Sequence, residues 1–151
     1  VSNAYDKLVT HMSEMKIGYW SNSEEKSICV DFPGLIGNYR VFATVDATCD
    51  QFQVIGQLRM HVAKGCHAAV TETVQLANNG LTSGELEMNF DTSELRFRAA
   101  RPLVFDILED ETIDCLLETT KTAFDTYLPA LISVIYGNET PEDAVRHVAV
   151  R

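Results

Sequence analysis

The chain has 151 residues, 46% of them hydrophobic and 23% charged, proportions of one folded globular domain rather than a disordered or fibrous chain. Twelve Lys and Arg against 22 Asp and Glu leave a formal net charge of −10, a field that repels phosphate backbones and anionic lipid, so neither nucleic acid nor membrane is expected as a partner. No apolar run approaches the ~20 residues of a membrane span, and the first residues lack the basic-then-apolar layout of a signal peptide.

The first apolar stripe, Tyr5, Leu8, Val9, Met12 and Met15, has helical spacing. Asn3 is placed to cap it, Asp6 sits near the positive end of its dipole, and Gly18 is a stop. After a polar stretch at 21–27 the period changes to two. Ile28, Val30 and Phe32 alternate with Cys29 and Asp31, and Pro33-Gly34 reads as a turn. Tyr39, Val41, Ala43 and Val45 then share one side of a strand, with Arg40, Phe42, Thr44 and Asp46 on the other.

The clearest strand follows. Phe52, Val54, Gly56, Leu58, Met60 and Val62 face one way, and Gln51, Gln53, Ile55, Gln57, Arg59 and His61 the other. One sheet face is thus apolar and the other largely wet, the pattern of an antiparallel meander with helices on a single side. Residues 65–79 return to helical spacing through Cys66, Ala69, Val70, Thr73, Val74 and Ala77, and Asn78-Asn79-Gly80 ends that helix. Leu86, Met88 and Phe90, then Leu95, Phe97 and Ala99, form a hairpin. With Thr92 and Ser93 as its loop pair, Glu87 stands opposite Arg98 and Asn89 opposite Arg96.

From about Glu111 a long apolar stripe runs from Ile113 to Ile135, interrupted by Pro129 and closed by Gly137. Thr140, Pro141 and Asp143 open a short last helix. The expected architecture is α+β, a five-stranded antiparallel sheet with helices on one face in the order α-βββ-α-ββ-α(α), as a single domain over 1–151.

The chain has no dinucleotide-binding glycine motif, no phosphate loop and no nucleophile elbow. Cys29, Cys49, Cys66 and Cys115 form no Cys-x-x-Cys pair and read as reduced thiols of a cytoplasmic protein. His61, Cys66 and His67 are the nearest approach to a metal or thiol site. Adjacent Cys66 and His67 diverge by about 100° on a helix, and zinc wants four ligands or three and water. Cys66 therefore reads as a small core residue and His67 as a surface one, with neither metal nor cofactor expected. A thiol-dependent or metal-binding role for Cys66 with His61 and His67 stays as the alternative, and a structural module without a ligand as a third. Glu24-Glu25 and Glu109-Asp110-Glu111 lack the ligand spacing of a calcium loop, and Glu85 and Glu87 read as structural.

Several stretches carry a resemblance when taken in order. They are Val74-Gln75-Leu76-Ala77-Asn78-Asn79, Gly84-Glu85-Leu86-Glu87, the turn at Asp91 and Leu95-Arg96-Phe97-Arg98. Tyr127-Leu128-Pro129-Ala130-Leu131, Gly137 and Pro141-Glu142-Asp143-Ala144 continue it. Over 4–148 the chain resembles the bacterial YbjN family, whose fold is similar to type III secretion chaperones. The resemblance implies a domain without enzymatic chemistry, a sensory-transduction regulator or chaperone-like protein, and offers no catalytic residue to carry over. It also implies a homodimer built through the helix at 65–79. The residues themselves single out Phe42 and Ile55, two apolar side chains on the wet face among Arg40, Gln53, Gln57 and Arg59. That patch is the expected binding site for a protein or peptide segment.

Overall fold

The computed structural model describes residues 3–34, 37–46, 48 and 50–149. Helix α1, Ala4–Glu14, opens as its cap residue demands, with Asn3 Oδ1 accepting the Asp6 N–H at 2.8 Å. It ends before Gly18, because Met15 closes the last turn and Lys16 takes a left-handed φ of 59°. Leu8 and Met12 are fully buried.

Six strands form one antiparallel sheet among the described residues: β1 (Trp20–Asn22), β2 (Ser27–Gly34), β3 (Gly37–Asp46), β4 (Gln51–His61), β5 (Glu85–Asn89) and β6 (Glu94–Pro102). Their spatial order is β1-β2-β3-β4-β6-β5. The expected count of five is corrected by β1, which pairs Trp20, Ser21 and Asn22 with Cys29, Ile28 and Ser27. It is three residues long and exposed throughout, so no period-two pattern marks it. The chain order is α-ββββ-α-ββ-α-α. The turn expected at Pro33-Gly34 is corrected too. Both residues are paired in β2, to Asn38 and Gly37, so the strand runs on through the expected turn; 35–36 lie outside the described residues.

Helix α2 (His67–Gly80) follows a short 3-10 turn, Lys64–Cys66, and carries the chain from β4 to the far edge strand β5. Helix α3 (Asp110–Tyr136) contains Pro129 and closes on Gly137, whose N–H donates to Ser133 O at 2.9 Å. Thr140 Oγ1 caps α4 (Pro141–Ala149) by accepting the Asp143 N–H at 3.2 Å.

Helices α1, α2 and α3 lie against the face that carries Ile28, Val30, Tyr39, Val41, Phe52, Val54, Leu95 and Phe97, α4 packs on α2 and α3, and the sheet side chains join the helices' apolar stripes in one buried cluster. Helix α3 comes close to the sheet at Gly56. A Cβ there would stand 2.6 Å from Phe124 Cε2 and 2.7 Å from Thr120 Cγ2, so the absence of a side chain is what lets α3 cross β4.

Within the core, the Tyr39 ring packs edge-on against Phe124 at 4.9 Å between centroids, and its hydroxyl has no hydrogen-bond partner among the described residues. Burial pushes the Tyr39 phenol above its ordinary pKa, and the charges of Asp125 and Glu118 push the same way. His11 is a second buried polar group. Its Nδ1 lies 3.0 Å from Asp110 and its Nε2 2.7 Å from Asp114, which ties α1 to the start of α3.

The β5–β6 hairpin differs from expectation by two residues. Glu87 pairs with Arg96, Glu85 with Arg98 and Asn89 with Glu94. Asn89 Oδ1 accepts the Asp91 and Thr92 N–H groups, and Ser93 takes a φ of 60° and donates its N–H to Asn89 O at 2.7 Å. That side-chain-closed loop is longer than a two-residue turn. A shift of two leaves every side chain on its expected face.

Candidate functional site

The face opposite the helices is uncovered among the described residues, and strand register organises it into rows. Trp20 pairs with Cys29, Cys29 with Phe42, Phe42 with Ile55, Ile55 with Arg98 and Arg98 with Glu85. One line across all six strands is therefore apolar over its first four members and ionic over its last two. The row to one side is polar and uncharged, Asn22, Ser27, Thr44 and Gln53. The row to the other side is Asp31, Arg40, Gln57, Arg96 and Glu87.

Of the expected binding residues, the structure brings three into one shallow cleft of about 310 Å³: Phe42, Ile55 and Gln57, with Glu25, Ser27, Thr44 and Arg96 as further walls. Phe42 and Ile55 are half-buried by their neighbours. Gln53 lies beyond Ile55 in an adjoining cleft with Gln51, Arg98 and Glu85, and its Oε1 is 3.4 Å from Gln51 Nε2. Arg59 belongs to β4 where the pairing with β6 is irregular between Gln57 and His61, and its side chain lies outside the described ones.

Trp20 is the residue that sequence reasoning missed. It is 61% exposed at the end of the apolar row, with the Arg40 guanidinium 5.8 Å from its ring centroid. A lone tryptophan in a polar stretch was the available signal. Strand β1 covers just the first three residues of β2, so the β2 edge continues past Trp20 through Val30 to Gly34.

Charge on this face is balanced and locally neutralised. Arg40 Nε donates to Asp31 Oδ1 at 2.9 Å. Arg96 Nε and Arg98 Nη2 donate to the two oxygens of Glu87 at 2.7 and 2.6 Å, and Arg98 also lies 3.8 Å from Glu85. Burial alone would raise the Glu87 carboxyl. The hydrogen bond and charge of Arg96, with those of Arg98, outweigh it and hold Glu87 below the usual carboxylate range. Three arginines thus meet three acids on this face of a chain whose net charge is −10.

Both histidines of the alternative thiol site are engaged in holding the fold. Cys66 sits half-buried at the start of α2, and His67 is half-buried too, where a surface position was expected. His67 Nε2 lies 3.1 Å from Val62 O and 3.0 Å from Ser93 Oγ, while His61 Nδ1 lies 3.1 Å from Thr92 O. Both imidazoles therefore fasten the β5–β6 turn to the end of β4. Among the described residues no group of three or more His, Cys, Asp or Glu is arranged to hold a metal ion. Cys49 lies outside the described residues. No helix among them is long and apolar enough to cross a membrane.

A family model for YbjN, described as "Putative bacterial sensory transduction regulator", matches residues 20–133. The chain belongs to the YbjN family. The matched span runs from β1 into α3 and contains the whole open face, whereas α1 and α4 lie outside it. Among solved structures the YbjN chain is similar to the crystal structure of "YbjN, a putative transcription regulator from E. coli". The likeness has a TM-score of 0.58 at 10% identity and covers 91% of this chain and 95% of that one, which is a likeness of fold. No curated protein matches the chain.

Proposed function

We propose that the chain is a non-catalytic, chaperone-like regulatory module, one domain over 1–151, that binds an extended segment of a protein partner on its open sheet face. The observation that carries the reading is the apolar row Trp20, Cys29, Phe42 and Ile55, flanked in the adjoining rows by side chains that are uncharged or ion-paired, with the Glu25 carboxylate at the rim of the cleft. A partner laid on such a face contributes alternate apolar side chains to the cleft at Phe42 and Ile55, and its backbone adds to the β2 edge beyond Trp20. Family membership supports a regulatory role without catalysis.

The proposal includes a cytoplasmic setting, consistent with unpaired thiols at Cys66 and Cys115, and a homodimer as in chaperones of the similar fold. The outward positions of α2 are Ala68, Glu72, Gln75 and Asn79, a mostly polar stripe. Light scattering at high micromolar concentration tests the dimer, and a single-chain mass removes that part. The binding face is tested by replacing Ile55 with Asp, which places a charge in the middle of the row. Loss of partner capture by a folded variant supports the face, and unchanged capture refutes it.

A further inference from the structure

Between β6 and α3 the chain displays three large apolar side chains in four positions. Val104 is 63% exposed, Phe105 91% and Ile107 59%. Single exposed hydrophobes are ordinary, but three together form a patch. The Ile107 N–H donates to Val104 O at 3.1 Å, and both central residues, Phe105 and Asp106, take left-handed φ values of 55° and 56°. Two consecutive positive φ angles define a tight turn that favours Asn and Gly, and a phenylalanine there is strained. The turn is also fastened. Leu103 N–H donates to Asp50 O at 2.7 Å, Leu108 is buried, and Asp106 accepts the Ala4 N–H at 3.4 Å. Phe105 is held outward on an anchored knuckle.

A cleft opens on each side. One of about 570 Å³ runs along Lys7, Phe105, Ile107, Glu109 and Glu111, and one of about 410 Å³ along Pro102, Val104, Ile107 and Thr112. Acids dominate the larger cleft, whereas Arg101 lines the smaller one and donates to Ala100 O and Ser83 Oγ. Asp106, Glu109, Asp110, Glu111 and Asp114 fall within nine residues that contain no Lys or Arg. The basic groups of α1 that reach this end, Lys7 and His11, lie against Asp110 and Asp114. The dipole of α3 accounts for acids in its first turn but not for an aromatic tip beside them.

We propose that this knuckle docks a cationic amphipathic segment of another protein. Apolar side chains of the segment pack against Phe105 and Ile107, and its Lys or Arg side chains meet Glu109 and Glu111. Charge complementarity selects this occupant, because a second copy would bring its own acid excess and an anionic lipid surface is repelled. The surface shares no lining residue with the cleft at Phe42 and Ile55, so each stands without the other.

The test titrates the full chain with a dye-labelled leucine–lysine peptide of helical spacing at physiological salt, read by fluorescence anisotropy, with the leucine–glutamate analogue as counter-probe. The wild type binds the lysine peptide and not the glutamate one. Phe105→Gly suits the positive φ, keeps or raises the thermal midpoint, and weakens binding by about tenfold or more. Glu111→Lys weakens it by about fivefold or more, while Glu24→Lys on the β1–β2 turn stays within about twofold. Four results overturn the proposal: no binding of the lysine peptide, equal binding by Phe105→Gly, equal losses from Glu24→Lys and Glu111→Lys, or binding of the glutamate peptide. So do a dimer that Phe105→Gly dissolves and sedimentation with phosphatidylglycerol vesicles that the same variant abolishes, which assign the knuckle to a second copy or to a membrane.

Discussion

Phe42 on β3 and Ile55 on β4 stand directly opposite each other, half-buried on the sheet face that no described helix covers. Their neighbours one strand further out are Cys29 on one side and Arg98 on the other, so the pair marks where an apolar row gives way to an ionic one. The opposite face of the same strands carries Val41 and Val54, which are buried. Two surfaces of opposite character therefore come from one alternation of side chains.

The tight crossing of α3 over β4 makes Gly56→Ala a sensitive substitution. A Cβ within 2.7 Å of both Phe124 and Thr120 forces the helix outward or the ring off its rotamer. The expected loss is about 1–3 kcal/mol in chemical unfolding, with slope unchanged. A variant as stable as the wild type would contradict the packing described.

Tyr39→Phe has the opposite sign. It removes a buried hydroxyl that lacks a partner among the described residues and leaves the ring against Phe124, so stability rises by about 1 kcal/mol near neutral pH. Because the folded phenol is held above its ordinary value of 10.0, wild-type stability is full below pH 10 and falls as pH rises past it. Urea titrations at neutral pH and above pH 10 are expected to show Tyr39→Phe gaining further on the wild type in alkali. An equal gap at both pH values would contradict the burial argument.

Glu87→Gln removes the charge and one of the two acceptor oxygens that hold Arg96 and Arg98, and costs about 1 kcal/mol at pH 7, the scale of a partly exposed pair with good geometry. The folded carboxyl titrates below its ordinary value of 4.5, so its contribution is present above that pH and is lost as pH falls through the lower folded value. The wild-type and variant unfolding midpoints converge in acid. Divergence in acid would mean that Glu87 is not held by its arginines.

Much of this architecture was legible because burial imposes periodicity. The apolar sides of β2, β3, β4 and β6, the Asn3 and Thr140 caps and the Gly137 stop all follow from local rules. What escaped was set by contacts without a period. Strand β1 is exposed on every residue, and the β5–β6 register depends on the Asn89 side chain and a left-handed Ser93. His11 lies on the helix stripe, yet only the fold brings Asp110 and Asp114 to it. At the candidate site the pairing of Phe42 with Ile55 was implied by alternation, whereas the extension to Trp20 needed the edge strand.

The binding claim itself is tested most directly by photocrosslinking. A photoreactive residue at Gln57 is introduced with and without Ile55→Asp, beside a control placed at Glu72 on α2, and crosslinked partners are compared in extracts of the source cells. The account predicts a discrete partner crosslinked from Gln57, absent from Glu72 and lost in a folded Ile55→Asp chain. The same partner captured undiminished by Ile55→Asp, or captured equally from Glu72, would contradict a binding role for the open sheet face.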